Sequence, residues 1–80
     1  MVADYLPIAC AAHERLEFAV LRRRQLQLTW LGEDGHSQSC EQVLPLDVET
    51  RAGAEWLTFK RPGGEIEVVR LDHIRSVIEI

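Results

Sequence analysis

Long apolar runs are missing from this chain, and no stretch approaches the roughly 20 residues that a membrane-spanning helix needs. The start, Met1-Val2-Ala3-Asp4, holds no basic residue, and His13 and Glu14 arrive before the apolar core of a secretory leader could be completed. Neither export nor lipid anchoring at Cys10 is expected. Cysteine is scarce: Cys10 and Cys40 allow one bridge at most, far from the dense frameworks of small secreted domains, so a reducing cytoplasm is the expected compartment. Basic charge is in deficit as well. Nine Lys and Arg face 13 Asp and Glu, a formal net charge of -4, which speaks against a generic nucleic-acid binder and for a basic partner. Glycine-rich phosphate loops are absent, since Gly63-Gly64 reads as a turn. Tight pairs of metal ligands are absent too: Cys10 and His13 stand three apart, and His36 and Cys40 would lie roughly 13 Å apart along a strand. No metal or cofactor is expected, and Cys10 reads as a buried apolar residue. Nothing accompanies Cys10 and His13 that would mark an oxyanion site, so an enzyme is the least expected class.

What is present is a globular composition, 46% hydrophobic and 28% charged in 80 residues, which suits one domain spanning residues 1–80. After Leu16 the dominant period is two. Leu16, Phe18 and Val20 alternate over residues 16–21, and Leu26, Leu28 and Trp30 alternate over residues 25–32, with Arg22-Arg23-Arg24 as a solvated loop between them. Asp34-Gly35 is a hairpin signal that returns the chain as residues 36–43. That return is so polar that it must be strongly curved or lie near an edge. Pro45 interrupts the alternation and makes residues 44–48 a packed connection, while residues 50–54 form a loop tip. Strands are expected at residues 55–60, 65–71 and 74–80, with a turn at Arg61-Pro62-Gly63-Gly64 and a bulge or two-sided burial at Val68-Val69. Trp30 and Trp56 read as core or half-core, and Arg70 as a local partner of Asp72. Residues 9–15 favour a short helix that buries Ile8, Ala12 and Leu16 and turns His13 and Glu14 outward. The expected architecture is mainly β, about five strands with one short N-terminal helix.

The order of certain residues adds a more specific expectation. Tyr5, Pro7, Ile8 and Cys10, then Leu16-Glu17 and Ala19, Asp34-Gly35, Leu46-Asp47 with Arg51, Glu55 and Leu57, and finally Arg70-Leu71-Asp72, Ile74 and Ser76, resemble the bacterial Rho-binding antiterminator family of the Rof or YaeO type. The resemblance runs over nearly the whole chain. It implies a small Sm-like β-barrel that occupies the RNA-binding region of the N-terminal domain of transcription termination factor Rho, so that Rho fails to engage nascent RNA and termination is inhibited. It also implies contacts from residues 9–17 and 50–54. Among these and their neighbours, His13, Glu14 and Arg51 are the first candidates for the contact, with Glu17 and Asp47 second. An acidic protein suits such a surface, because carboxylates can take the place of phosphates opposite basic groups. This chain has Ala11-Ala12 where the family often carries acidic residues, and Arg51 is the one charged side chain in residues 50–54. Two other readings stand beside this one: an Sm-like domain that binds RNA directly through Arg22-Arg23-Arg24, and an interaction module for another protein.

Overall fold

The computed structural model describes residues 10–80, with side chains from His13 onward. The expected burial of Ile8, Cys10 and Ala12 therefore lies outside the described side chains. The described residues form a helix α1 (Cys10–Arg22) and five strands, β1 (Leu26–Leu31), β2 (Gln38–Arg51), β3 (Ala54–Lys60), β4 (Ile66–Arg70) and β5 (Ile74–Glu79), with a 3-10 turn at Leu71–His73 before β5. All strand pairs are antiparallel, in the order β4-β3-β2-β1-β5. The end strands β4 and β5 are not paired with each other, so the sheet is open.

The helix is longer than residues 9–15, and residues 16–21 belong to it rather than to a strand. The same apolar residues carry two periods, and the helical one prevails: Leu16 and Ala19, three apart, are buried, whereas Phe18, which the strand reading placed beside Leu16, is 52% exposed. Arg22-Arg23-Arg24 is not a free loop but the helix end. The Arg24 N–H reaches the Ala19 carbonyl at 2.9 Å and the Arg23 N–H reaches that of Val20 at 3.3 Å, a Schellman closure that puts Arg23 at φ 54°. Helices that end in such a left-handed residue usually place glycine there.

Residues 44–48 are not a connection between strands. They continue β2, which changes partner in mid-course: residues 38–43 pair with β1 (Leu26↔Val43 to Leu31↔Gln38), and residues 44–51 pair with β3 (Leu44↔Lys60 to Arg51↔Ala54). The register slips between Pro45 and Asp47, leaving Leu46 as the extra residue, 41% exposed. Proline lacks the N–H that a regular ladder would require, and a bulge is where a sheet interior accepts it. The polar residues 38–43 are explained by this bend, because among the described residues the only strand along them is β1.

Bending brings β1 and β3 face to face. Trp30 meets Phe59 edge-on, with ring centroids 4.9 Å apart, and Leu26, Leu28, Val43, Leu57, Val69, Leu71 and Ile74 close the core, with Leu16 and Ala19 of α1 packed against it. Val68 and Val69 contain no bulge: the β3–β4 register is unbroken, with Val69 buried and Val68 exposed, the ordinary alternation of a strand.

Truncation of Phe59 to Ala removes the ring that joins the two halves of the sheet and is expected to cost about 3–5 kcal/mol. A domain of this length holds roughly 4–12 kcal/mol in all. Urea titration should therefore find Phe59→Ala largely unfolded or with a strongly lowered midpoint, while Val68→Ala shifts stability by no more than about 0.5 kcal/mol.

Candidate functional site

The expected site residues come from two elements that the fold joins, α1 and the β2–β3 hairpin. The hairpin turn is Ala52-Gly53, both with positive φ (54° and 78°), between the paired residues Arg51 and Ala54. Two positive angles mark a type I′ turn, whose twist matches the strands it links. Thr50 and Arg51 thus lie in β2, and the loop tip is two residues long rather than five.

Register divides the hairpin into two faces. Val48 and Leu57 point into the core, and Thr50 and Glu55 extend that same face toward the helix. Here His13 of α1 meets Glu55: its Nε2 lies 2.5 Å from Glu55 Oε2, and its Nδ1 lies 3.2 Å from Glu17 Oε1 one helical turn on. His13 therefore does not project freely. It is half-buried and bridges helix to strand, whereas Glu14 is exposed as expected.

The other face carries Asp47, Glu49 and Arg51, spaced by two along β2, with Trp56 opposite Glu49. Arg51 lies back on this face. Its guanidinium stands 5.2 Å from the Trp56 ring centroid and 4.0 Å from Glu49, and the Trp56 indole N–H donates to the Arg51 carbonyl at 3.2 Å. Asp47 is exposed opposite Thr58. The structure thus gathers Glu17 and Glu55 around His13, leaves Glu14 on the outer side of the helix, and sets Asp47 and Arg51 on the outward face of the same hairpin. Glu55 and Trp56 were not singled out as site residues. The signal for Glu55 was its parity with Leu57, since a carboxylate on a core-facing position needs a partner.

Beyond the hairpin, Arg61 forks onto both Glu41 carboxylate oxygens at 2.8 Å, reaches Glu67 at 3.4 Å and stands 5.9 Å from the Trp30 ring centroid. The Arg61 hydrogen bond holds the Glu41 carboxyl below its ordinary range. Arg70 pairs with Asp72 at 2.7 and 3.0 Å, as the sequence suggested. A groove of about 300 Å³ opens between the end of β1 and β4, lined by Trp30, Trp56, Val69, Arg70 and His73 among others. Among the described residues, no three His, Cys, Asp or Glu side chains converge on a metal-sized position. Cys40 is a free, exposed thiol pulled below its ordinary range by the Thr29 hydroxyl and the Gln27 amide, whose nitrogen lies 3.4 Å from the sulfur.

In the β1–β2 turn, Asp34 accepts the Ser37 hydroxyl at 2.6 Å and the N–H groups of His36 and Ser37 at 2.9 Å each. The Ser37 hydroxyl first and the His36 N–H second lower its carboxyl to about 2.

No protein-family model matches the chain, and no curated protein matches it either.

Replacing His13 with Ala should cost about 1 kcal/mol and raise amide exchange in α1 well before it does so at residues 57–59. Because the folded Asp34 carboxyl titrates below the unfolded one, its contribution is present above about pH 4 and disappears as pH falls toward 2. Urea midpoints measured across that window should fall less steeply for Asp34→Asn than for the native chain. Iodoacetamide should alkylate Cys40 near pH 7.5 faster than an unstructured thiol, and Thr29→Val should slow the reaction.

Proposed function

We propose that this chain binds the N-terminal RNA-binding domain of transcription termination factor Rho and, by occupying it, keeps Rho from nascent RNA. The observation that carries the reading is the α1–hairpin junction. The two segments in which the family resemblance implies contact, residues 9–17 and 50–54, are distant in sequence, and the helix is tied to the hairpin by the contact of His13 with Glu55, the residue directly after the second segment. Glu14 and Glu17 on the helix and Asp47 and Glu49 on the outward face of the hairpin are exposed carboxylates, which suit the basic groups of an RNA-binding domain. The overall charge of -4 favours the same partner over a phosphate backbone.

The architecture is compatible with the Sm-like barrel that the resemblance implies: five antiparallel strands in the order β4-β3-β2-β1-β5, sharply bent at β2, with a helix before β1. Closure of the barrel between β4 and β5 is part of the proposal. In this reading Glu14 and Glu17 reach from the helix, Asp47 and Arg51 from the hairpin, and His13 sets the angle between the two segments. No covalent chemistry is involved. Inhibition is occupancy, so it should scale with the fraction of Rho domains bound.

Calorimetric titration of the chain into the isolated N-terminal domain of Rho is expected to give saturable binding that a prebound RNA oligonucleotide competes away. Glu14→Lys should weaken binding by about tenfold, as reversal of a charge facing a basic surface does. Absence of binding at micromolar concentration by a folded protein would refute the reading. Binding that RNA leaves unchanged would refute the occlusion mechanism.

A further inference from the structure

The outer face of α1 is apolar where solvent meets it most directly. Leu21 is 79% exposed and Phe18 is 52% exposed, and both line one surface cleft with Glu14 and Glu17. Along this face the charge changes sign. Glu14 stands one turn before Phe18, and Arg22 one turn after it, its guanidinium 5.6 Å from the Phe18 ring centroid. Neither Glu14 nor Arg22 has an ion-pair partner among the described residues. Glu14 and Arg22 are equally far from Phe18, about 6 Å along the axis on either side. The sequence of properties is therefore acidic, apolar, basic, with its midpoint at an aromatic ring.

We infer that a second copy of this chain docks on this face, α1 against α1 in antiparallel orientation, with the two-fold axis close to Phe18. A two-fold axis makes every contact twice: if residue i meets residue j, then j meets i. Running the second helix in the opposite direction sets Glu14 of each copy opposite Arg22 of the other and packs Phe18 and Leu21 of both together at the centre. A parallel copy would set Glu14 on Glu14 and Arg22 on Arg22. A purely acidic partner would meet Arg22 well but would face Glu14 and Glu17 across the same cleft. The self-matching order of charges thus selects another copy over an unrelated acidic or basic chain. The inference does not rest on the Rho reading, but both use Glu14, so a dimer and Rho would compete for this face of the helix.

One helix face from each copy makes a small interface, so association belongs in the weak class, between about 10 µM and 1 mM. Sedimentation equilibrium over that range is the test, and the native chain is expected to move from the monomer mass toward the dimer mass. Leu21→Glu, a change at a side chain that makes little contact within the fold, should weaken association about tenfold or more, as loss of an interface anchor does. Glu14→Arg alone and Arg22→Glu alone should each be monomeric, because both repeat a like-charge contact twice. Mixed in equal amounts, they should form a heterodimer, since both cross-pairs then join opposite charges, one between the native Arg22 and Glu14 and the other, between the two substituted positions, with reversed sign. A native chain that stays monomeric at 1 mM overturns the inference. So does a dimer that Leu21→Glu leaves unchanged, or a mixture of the two charge variants that remains monomeric.

Discussion

The rest of the structure depends on the change of partner within β2. A strand that paired with β1 and β3 along its whole length would hold them side by side, with Trp30 and Phe59 too far apart to touch. By giving residues 38–43 to β1 and residues 44–51 to β3, and by bulging at Pro45, the strand folds the sheet onto itself. The two aromatic rings then meet at 4.9 Å and supply the centre of a core that a chain of 80 residues can only just fill. Proline acts here through a missing group. Its absent N–H cannot be left unpaired, so a proline tolerates a bulge where other residues would waste a hydrogen bond.

The helix closes one side of that bent sheet, and its attachment is mixed in kind. Leu16 and Ala19 contribute apolar burial, His13 contributes polar contacts to Glu55 and Glu17, and at the far end Arg24 donates to the Ile80 carbonyl at 3.2 Å. Apolar burial is non-directional and lets a helix roll on its bed, whereas the contacts at the two ends are directional and fix its angle. The outward face of α1 is thereby held in a set relation to the β2–β3 hairpin, which is what a binding surface assembled from separate segments needs.

Much of the fold was legible in the sequence because local chemistry decided it. Asp34-Gly35, Gly53 and Gly63-Gly64 mark turns that the structure contains, and the alternation of Leu26, Leu28 and Trp30 gives β1 and its buried face. The errors share one cause. Residues 16–21 satisfy both period two and period 3.6, and local pattern cannot choose between them; the choice falls to the core, which accepts Leu16 and Ala19 together. Pro45 read as an interruption because local reasoning knows that it breaks a ladder, but not that the ladder changes partner there. Val68-Val69 read as a bulge or a two-sided burial because two adjacent apolar residues do not reveal that the outer face of β4 is left to solvent, with Val68 exposed and Val69 buried. For the site, Glu14 was placed correctly as an exposed charge, while the tie between His13 and Glu55 joins residues 42 apart and leaves no trace in either local segment.

By itself, the sequence determined a small, acidic, mainly β chain with a helix at its beginning, because composition, turn residues and period-two patterning act over a few residues at a time. Tertiary structure alone decided where the helix ends, which side chain of the hairpin it grips, and that Phe18, Arg22 and Glu14 share an uncovered face. Those outcomes depend on which apolar residues the common core takes in, and that selection exists only once β1, β3 and α1 have met.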